Sequence, residues 1–149
     1  MTGINRTLSD REIEARFRGY DANVEALKLR REELRGDLMR SSSDYSALER
    51  LGCQITGGKD RVPDAQRYLE AEERDEIIRG IMRELAPVEG VFRVLDRKRM
   101  GVVRRFIVLR YREERTMAEC AEMLKVAPRT IDRIRAHLLN VARPMFRGL

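Results

Sequence analysis

The chain has no tryptophan, one histidine, two cysteines and four prolines in 149 residues, and most of these scarcities remove a class of function. Cys53 and Cys120 are too few and too far apart for a metal knuckle or a disulfide framework. With His137 as the sole histidine, the ligands of a zinc site cannot be assembled. No apolar stretch approaches the roughly 20 residues that span a bilayer. The opening Met1-Thr-Gly-Ile-Asn-Arg-Thr-Leu8 lacks the apolar centre of a secretory leader. The expectation is a cytoplasmic protein without metal or cofactor. No paired-carboxylate site and no nucleophile beside a base can be placed, so an enzyme is not expected. The length leaves room for one or two compact units and for no large catalytic domain.

What is present is charge: 38% of residues are charged against 42% hydrophobic, as suits a helical protein with a modest core. The net charge of +6 is unevenly spread. Arg93 to Leu149 holds 15 basic and 6 acidic residues, or +9, while the first 92 residues hold 16 and 19, or −3. A basic terminal region is what a phosphate-binding surface requires. Of the 31 basic residues 27 are arginine, but that excess pervades the acidic half too and reads as a composition bias. The asymmetry between the halves is the informative part.

Ser9-Asp-Arg-Glu12 fits a capping box. Beyond it Ile13, Phe17, Tyr20, Val24, Leu27, Leu34 and Leu38 alternate steps of four and three, with Arg31 in one slot, which is a heptad seam. Gly19 lies inside this helix, and Ser41-Ser-Ser-Asp44 is expected to end it. Residues 44–63 read as a linker punctuated by Gly52, Gly57, Gly58 and Pro63. Gly57-Gly-Lys59 is not a phosphate loop, because the required glycine and Ser/Thr positions hold Cys53 and Asp60. A second long helix over 64–96 carries the seam Ile78, Ile81, Leu85, Val88, Phe92 and Leu95, with a kink expected near Pro87. The two helices can pair as an antiparallel hairpin or with a second copy of the chain.

Residues 97–149 form the last expected domain. Its first helix is Met100–Tyr111, and Arg112-Glu-Glu-Arg115 is a turn. Thr116-Met-Ala-Glu119 is a second capping box, starting a helix with Met117, Cys120, Ala121 and Leu124 on one stripe. After Lys125-Val-Ala127, Pro128 suits the first position of another helix. At about 100° per residue, Ile131, Ile134 and Leu138 turn inward and Arg129, Arg133, Ala136 and Asn140 outward, flanked by Thr130 and Asp132. Arg135 falls near the inward stripe, its head expected on Glu113 or Glu114, and His137 falls at the margin of the core. The spacing predicts an all-α protein: a long helical hairpin or coiled coil followed by a helix-turn-helix DNA-binding domain. Such a helix can enter the DNA major groove. Arg129 and Arg133 are the candidates for base edges, since arginine matches the two acceptors of guanine. Thr130, Lys125 and Arg115 are candidates for phosphates, and Asp132 completes the candidate surface.

Phe106-Ile-Val-Leu-Arg-Tyr111, Thr116-Met-Ala-Glu-Cys-Ala-Glu-Met-Leu124 and Arg129-Thr-Ile-Asp-Arg-Ile134 resemble region four of sigma-70-type factors. The chain more closely resembles the RinA/ArpU group of phage-encoded transcriptional activators. Their layout of basic N-terminal helix, glycine-bearing linker, long middle helix and sigma-like C-terminal module covers nearly all of this sequence. The resemblance implies a phage or prophage protein that switches on late genes from a promoter-proximal site, touching host RNA polymerase. Two positions depart from the pattern. Ala127 stands where Ser or Thr usually caps the recognition helix, which weakens it by roughly 1 kcal/mol, and Cys120 replaces a common Ile or Val. The leading expectation is a homodimeric transcriptional activator on double-stranded DNA. One competitor is the small DNA-recognising subunit of a phage packaging terminase, which assembles into rings larger than dimers. Another is a polymerase-binding module that needs no DNA, against which the basic terminal region argues.

Overall fold

The computed structural model describes residues 8–50 and 64–147, with the backbone alone for 41–50 and Asp64. Cys53, Gly57-Gly-Lys59 and most of the expected linker lie outside the described residues. The described residues form seven α-helices and no strand: α1 (Asp10–Arg18), α2 (Tyr20–Arg50), α3 (Asp64–Arg74), α4 (Glu76–Arg97), α5 (Gly101–Ile107), α6 (Met117–Leu124) and α7 (Pro128–Met145). A π-helical turn, Val108–Arg112, extends α5. Contacts gather the chain into two compact units, Met1–Asn23 with Arg83–Leu149, and Val24–Met82.

The unit Val24–Met82 is built on charged pairs between α2 and the α3–α4 segment. Arg30 donates from Nε (3.0 Å) and Nη2 (2.6 Å) to Asp75, Arg31 donates to Glu72 at 2.6 Å, and the Arg35 guanidinium lies 5.1 Å from the centre of the Tyr68 ring. Positions rise along one strand of the pairing as they fall along the other, so the segments run antiparallel within one chain. Leu27 and Ile78 are buried, whereas Val24 of the expected seam is 40% exposed.

Two helix ends differ from the sequence reading. The α2 helix runs past Ser41-Ser-Ser-Asp44 to Arg50; serine and aspartate are only mildly unfavourable inside a helix, unlike glycine or proline. The second long helix, expected to be continuous over 64–96, is interrupted at Asp75. The Asp75 carboxylate accepts the Ile78 N–H at 3.1 Å and so caps α4. Its hydrogen bond from Arg30, with that from the Ile78 amide, holds this carboxyl below its usual range. Pro87 lies inside α4 without a break, with Leu85 and Val88 buried around it.

In the other unit α1 belongs with the C-terminal helices. The Ser9 hydroxyl accepts the Glu12 N–H at 3.2 Å, starting a nine-residue helix that ends at Gly19. Gly19 still donates to Ala15 at 3.0 Å and accepts from Asn23 at 3.0 Å, so the interruption between α1 and α2 is confined to one residue. Ile13 and Phe17 enter a single core with Val88, Val91 and Leu95 of α4, Val103 and Phe106 of α5, and Ile131, Leu138 and Leu139 of α7.

All four phenylalanines and two of the four tyrosines meet in this core. Phe17 stacks on Tyr111 (centroids 5.6 Å apart) and meets Phe146 edge-on at 6.4 Å. Phe106 approaches Tyr111 at 6.0 Å and Tyr20 approaches Phe92 at 5.1 Å, both edge to face. Such pairs add stability beyond the area they bury. Leu109 and Tyr111 of the π-helical turn are both buried.

Phe106 is fully buried, and Phe106→Ala is expected to cost about 3–5 kcal/mol in urea unfolding. The Tyr111 hydroxyl is buried without a hydrogen-bond partner among the described residues. Tyr111→Phe, measured the same way, is expected to leave stability unchanged or raise it by about 1 kcal/mol.

Candidate nucleic-acid interface

The α6–α7 pair is fixed by local chemistry at each joint. Thr116 caps α6 through its hydroxyl, which accepts the Glu119 N–H at 3.1 Å. Glu119 reaches back to the Thr116 N–H at 3.5 Å, completing the capping box. The Arg110 guanidinium donates to the Arg115 carbonyl at 2.8 Å, tying the π-helical turn to the start of α6. Arg115 also pairs with Glu119 at 3.2 Å. That bond, together with the Thr116 N–H and hydroxyl, holds the Glu119 carboxyl below its usual range.

Helix α6 ends where Lys125 takes a left-handed conformation (φ 57°). The Val126 N–H then reaches the Ala121 carbonyl at 3.0 Å and the Lys125 N–H the Glu122 carbonyl at 3.1 Å, the paired bonds of a Schellman ending. Ala127 starts α7 without a side-chain cap, and Pro128 occupies the first turn. In α7, Ile131, Leu138, Leu139 and Ala142 are buried and Ile134 is half-buried.

The six candidate residues fall into three groups. Lys125, Arg129, Thr130 and Arg133 lie together on the turn and the first turns of α7: Lys125, Arg129 and Arg133 are exposed and Thr130 is half-buried. Among the described residues, neither Arg129 nor Arg133 nor Lys125 pairs with a carboxylate. Arg115 stands at the far end of the eight-residue α6, about 12 Å along the helix, and is already engaged by Glu119. Asp132 is exposed on the flank of α7 opposite Thr130, since two residues turn the helix by about 200°. On the same outward face, the Asn140 side-chain oxygen accepts from Arg143 at 2.6 Å.

The back of α7 is held by α1, which the sequence reading missed. Arg135 does not meet Glu113 or Glu114: its guanidinium binds the carboxylate of Glu14. Glu14 is the buried charged residue of α1, 5% exposed, with Arg18 also 3.9 Å away. A carboxylate so enclosed requires a paired cation. One turn before Glu14, Asp10 accepts two bonds from Arg143, at 3.0 and 2.9 Å, and this pairing lowers the Asp10 pKa. The nearest sequence signal was an acidic residue adjoining the Ile13–Phe17 stripe, but no spacing rule joins position 14 to position 135. His137 sits beside Met100, with Nε2 3.3 Å from the thioether sulfur.

Comparison with protein-family models, with curated proteins and with solved structures found no match. Among the described residues no helix is long and apolar enough to cross a membrane, and no group of three His, Cys, Asp or Glu could hold a metal.

Because the folded pKa of Glu119 is depressed, its contribution to stability is present above the ordinary carboxylate pKa. That contribution disappears as pH falls through the lowered value. Glu119→Gln is therefore expected to unfold more easily than the parent at neutral pH, with the gap closing as the solution is acidified below about pH 4.5. Thermal melts of both proteins across pH 2–7 read this difference.

Proposed function

We propose that this chain is a sequence-specific double-stranded DNA-binding transcriptional regulator in which α6, the Lys125–Ala127 turn and α7 act as a helix-turn-helix. The observation that carries this reading is the state of Arg129 and Arg133: exposed, unpaired among the described residues, and opposite the buried stripe of α7. Several other arginines of the same unit are engaged by carboxylates, as Arg104 meets Asp96 at 3.2 Å and Arg112 meets Asp21 at 2.8 Å. Two guanidiniums one helical turn apart, with no carboxylate partner among the described residues, suit the acceptor pairs of guanine in the major groove. Lys125 and Thr130 beside them suit the flanking phosphates. Arg115, held by Glu119, would exchange that carboxylate for a phosphate.

The narrower reading, a phage or prophage late-gene activator that touches host RNA polymerase in the bacterial cytoplasm, rests on the sigma-like sequence pattern of α5 to α7. Homodimerisation through the long helices is supported by the apolar side chains that unit Val24–Met82 leaves exposed. Leu29, Met39, Leu69 and Ile77 are each more than half exposed, and Met39 and Leu69 line one apolar hollow, the kind of surface a second copy would cover.

The test is base-by-base. Arg133→Ala is expected to cost on the order of 1–3 kcal/mol on the preferred duplex and to flatten the preference at one base position. Titrations against duplexes varied singly at each position provide the reading. An equal loss of affinity on every duplex would make Arg133 a phosphate contact and remove it from the reading face.

A further inference from the structure

We infer that Arg97, Lys98 and Arg99, between α4 and α5, form a second phosphate-binding element that grips the DNA backbone alongside α7. The inference rests on the reading of α7 as the DNA-reading helix and adds a site that the sequence did not single out. All three side chains are exposed, and none pairs with a carboxylate among the described residues. The neighbouring carboxylate, Asp96, is occupied by Arg104 at 3.2 Å, so it does not neutralise them.

The segment is held by its backbone. Met100 N–H reaches the Leu95 carbonyl at 2.9 Å and Arg99 N–H the Asp96 carbonyl at 3.2 Å, while Arg99 takes φ 55°. This is the same Schellman ending that closes α6 at Lys125. A left-handed conformation is disfavoured for a residue with a side chain, and here it sets three consecutive cations at one tight helix end.

The segment also has a defined place beside α7. Met100 packs against the core, and its sulfur lies 3.3 Å from His137 Nε2. On the α7 wheel His137 falls about 40° from Arg133 and Thr130 about 60° from it, on the same side. The cationic segment thus adjoins α7 at His137, two turns beyond Thr130 on the same flank, whereas Asp10 and Glu14 of α1 hold the other flank through Arg143 and Arg135. A helix lying in the major groove runs between two phosphate backbones, and cations fixed on its flank meet one of them. Cations at a helix C-terminus also complement the helix dipole, a role that would leave DNA affinity untouched.

The experiment measures binding of the full chain to a mixed-sequence DNA duplex over a salt series, for the parent and for a variant carrying Arg97→Gln, Lys98→Gln and Arg99→Gln. A control variant with the same charge change, Lys28→Gln, Arg74→Gln and Arg79→Gln, removes exposed cations from the other unit. The slope of log affinity against log salt is expected to shrink by about 2–3 in the first variant, at roughly 0.9 per lost phosphate contact. Its melting temperature and base preference are expected to stay those of the parent, and the control is expected to keep the parental slope. Should the triple variant not fold, Lys98→Gln alone is expected to lower the slope by about 0.9. A parental slope in these variants, with the parent binding DNA, overturns the clamp and leaves the reading of α7 standing. An equal fall in the control reduces the effect to net charge and overturns it as well. A parent that binds no duplex overturns both.

Discussion

The orientation of α7 depends on a carboxylate buried in α1. Glu14 is almost fully enclosed, and an enclosed carboxylate is tolerable only with its cation in place. The cation is Arg135 of α7. Ile13 and Phe17, on either side of Glu14, sit in the core that the buried stripe of α7 also enters. With Asp10 on Arg143 one turn away, α1 fixes the rotation of α7 about its axis at two points. A helix turns about 100° per residue, so drawing Arg135 inward sends Arg133 outward, and Arg129 follows it one turn earlier. The exposure of the two candidate base-reading arginines is a consequence of a contact made 121 positions earlier in the chain.

The same logic sorts the positive charge. Arg16, Arg104, Arg112, Arg135 and Arg143 each meet a carboxylate within their own unit, and these pairs join helix to helix. Arg97, Lys98, Arg99, Lys125, Arg129 and Arg133 are among the cations of that unit that meet none among the described residues. Net charge alone could not separate the two sets, because a paired arginine and a free one contribute equally to a sum. Surface ion pairs contribute little to stability in isolation. Their larger effect here is to remove some guanidiniums from competition for an anion and leave others.

Local chemistry was legible in the sequence wherever the partners lie within a few residues. Ser9 and Thr116 both cap as their spacing to Glu12 and Glu119 implies, Pro128 opens α7, and Ala127 leaves it without a side-chain cap. Ile131 and Leu138 are buried as the 3.6-residue period requires. Partnership at long range was not legible. The heptad from Ile13 to Leu38 continues unbroken through Gly19, yet Ile13 and Phe17 pack with the C-terminal helices while Leu27 lies in the other unit. A period states that a face is apolar and says nothing of what covers it. Arg135 lies beside the buried stripe as the wheel requires, but its partner is Glu14, far along the chain, and not one of the nearby glutamates. The break at Asp75 has no local sequence signal, because a capping aspartate is distinguished from any other polar residue only by the convergence of Arg30 and the Ile78 amide on it. For the candidate surface, Arg129 and Arg133 share the outward face of α7 with Thr130 and Asp132 flanking it on either side, as the helical wheel requires, whereas Arg115 stands at the far end of α6.

The most direct test of the account is retention of fragments of the encoding genome by the purified protein across a salt series. Nonspecific attraction to phosphates falls steeply with salt, while base contacts persist. The account predicts that one fragment, upstream of a late operon, is held at salt that strips the rest. Uniform, salt-labile binding to every fragment would contradict it, leaving a basic helical protein whose α7 reads no sequence.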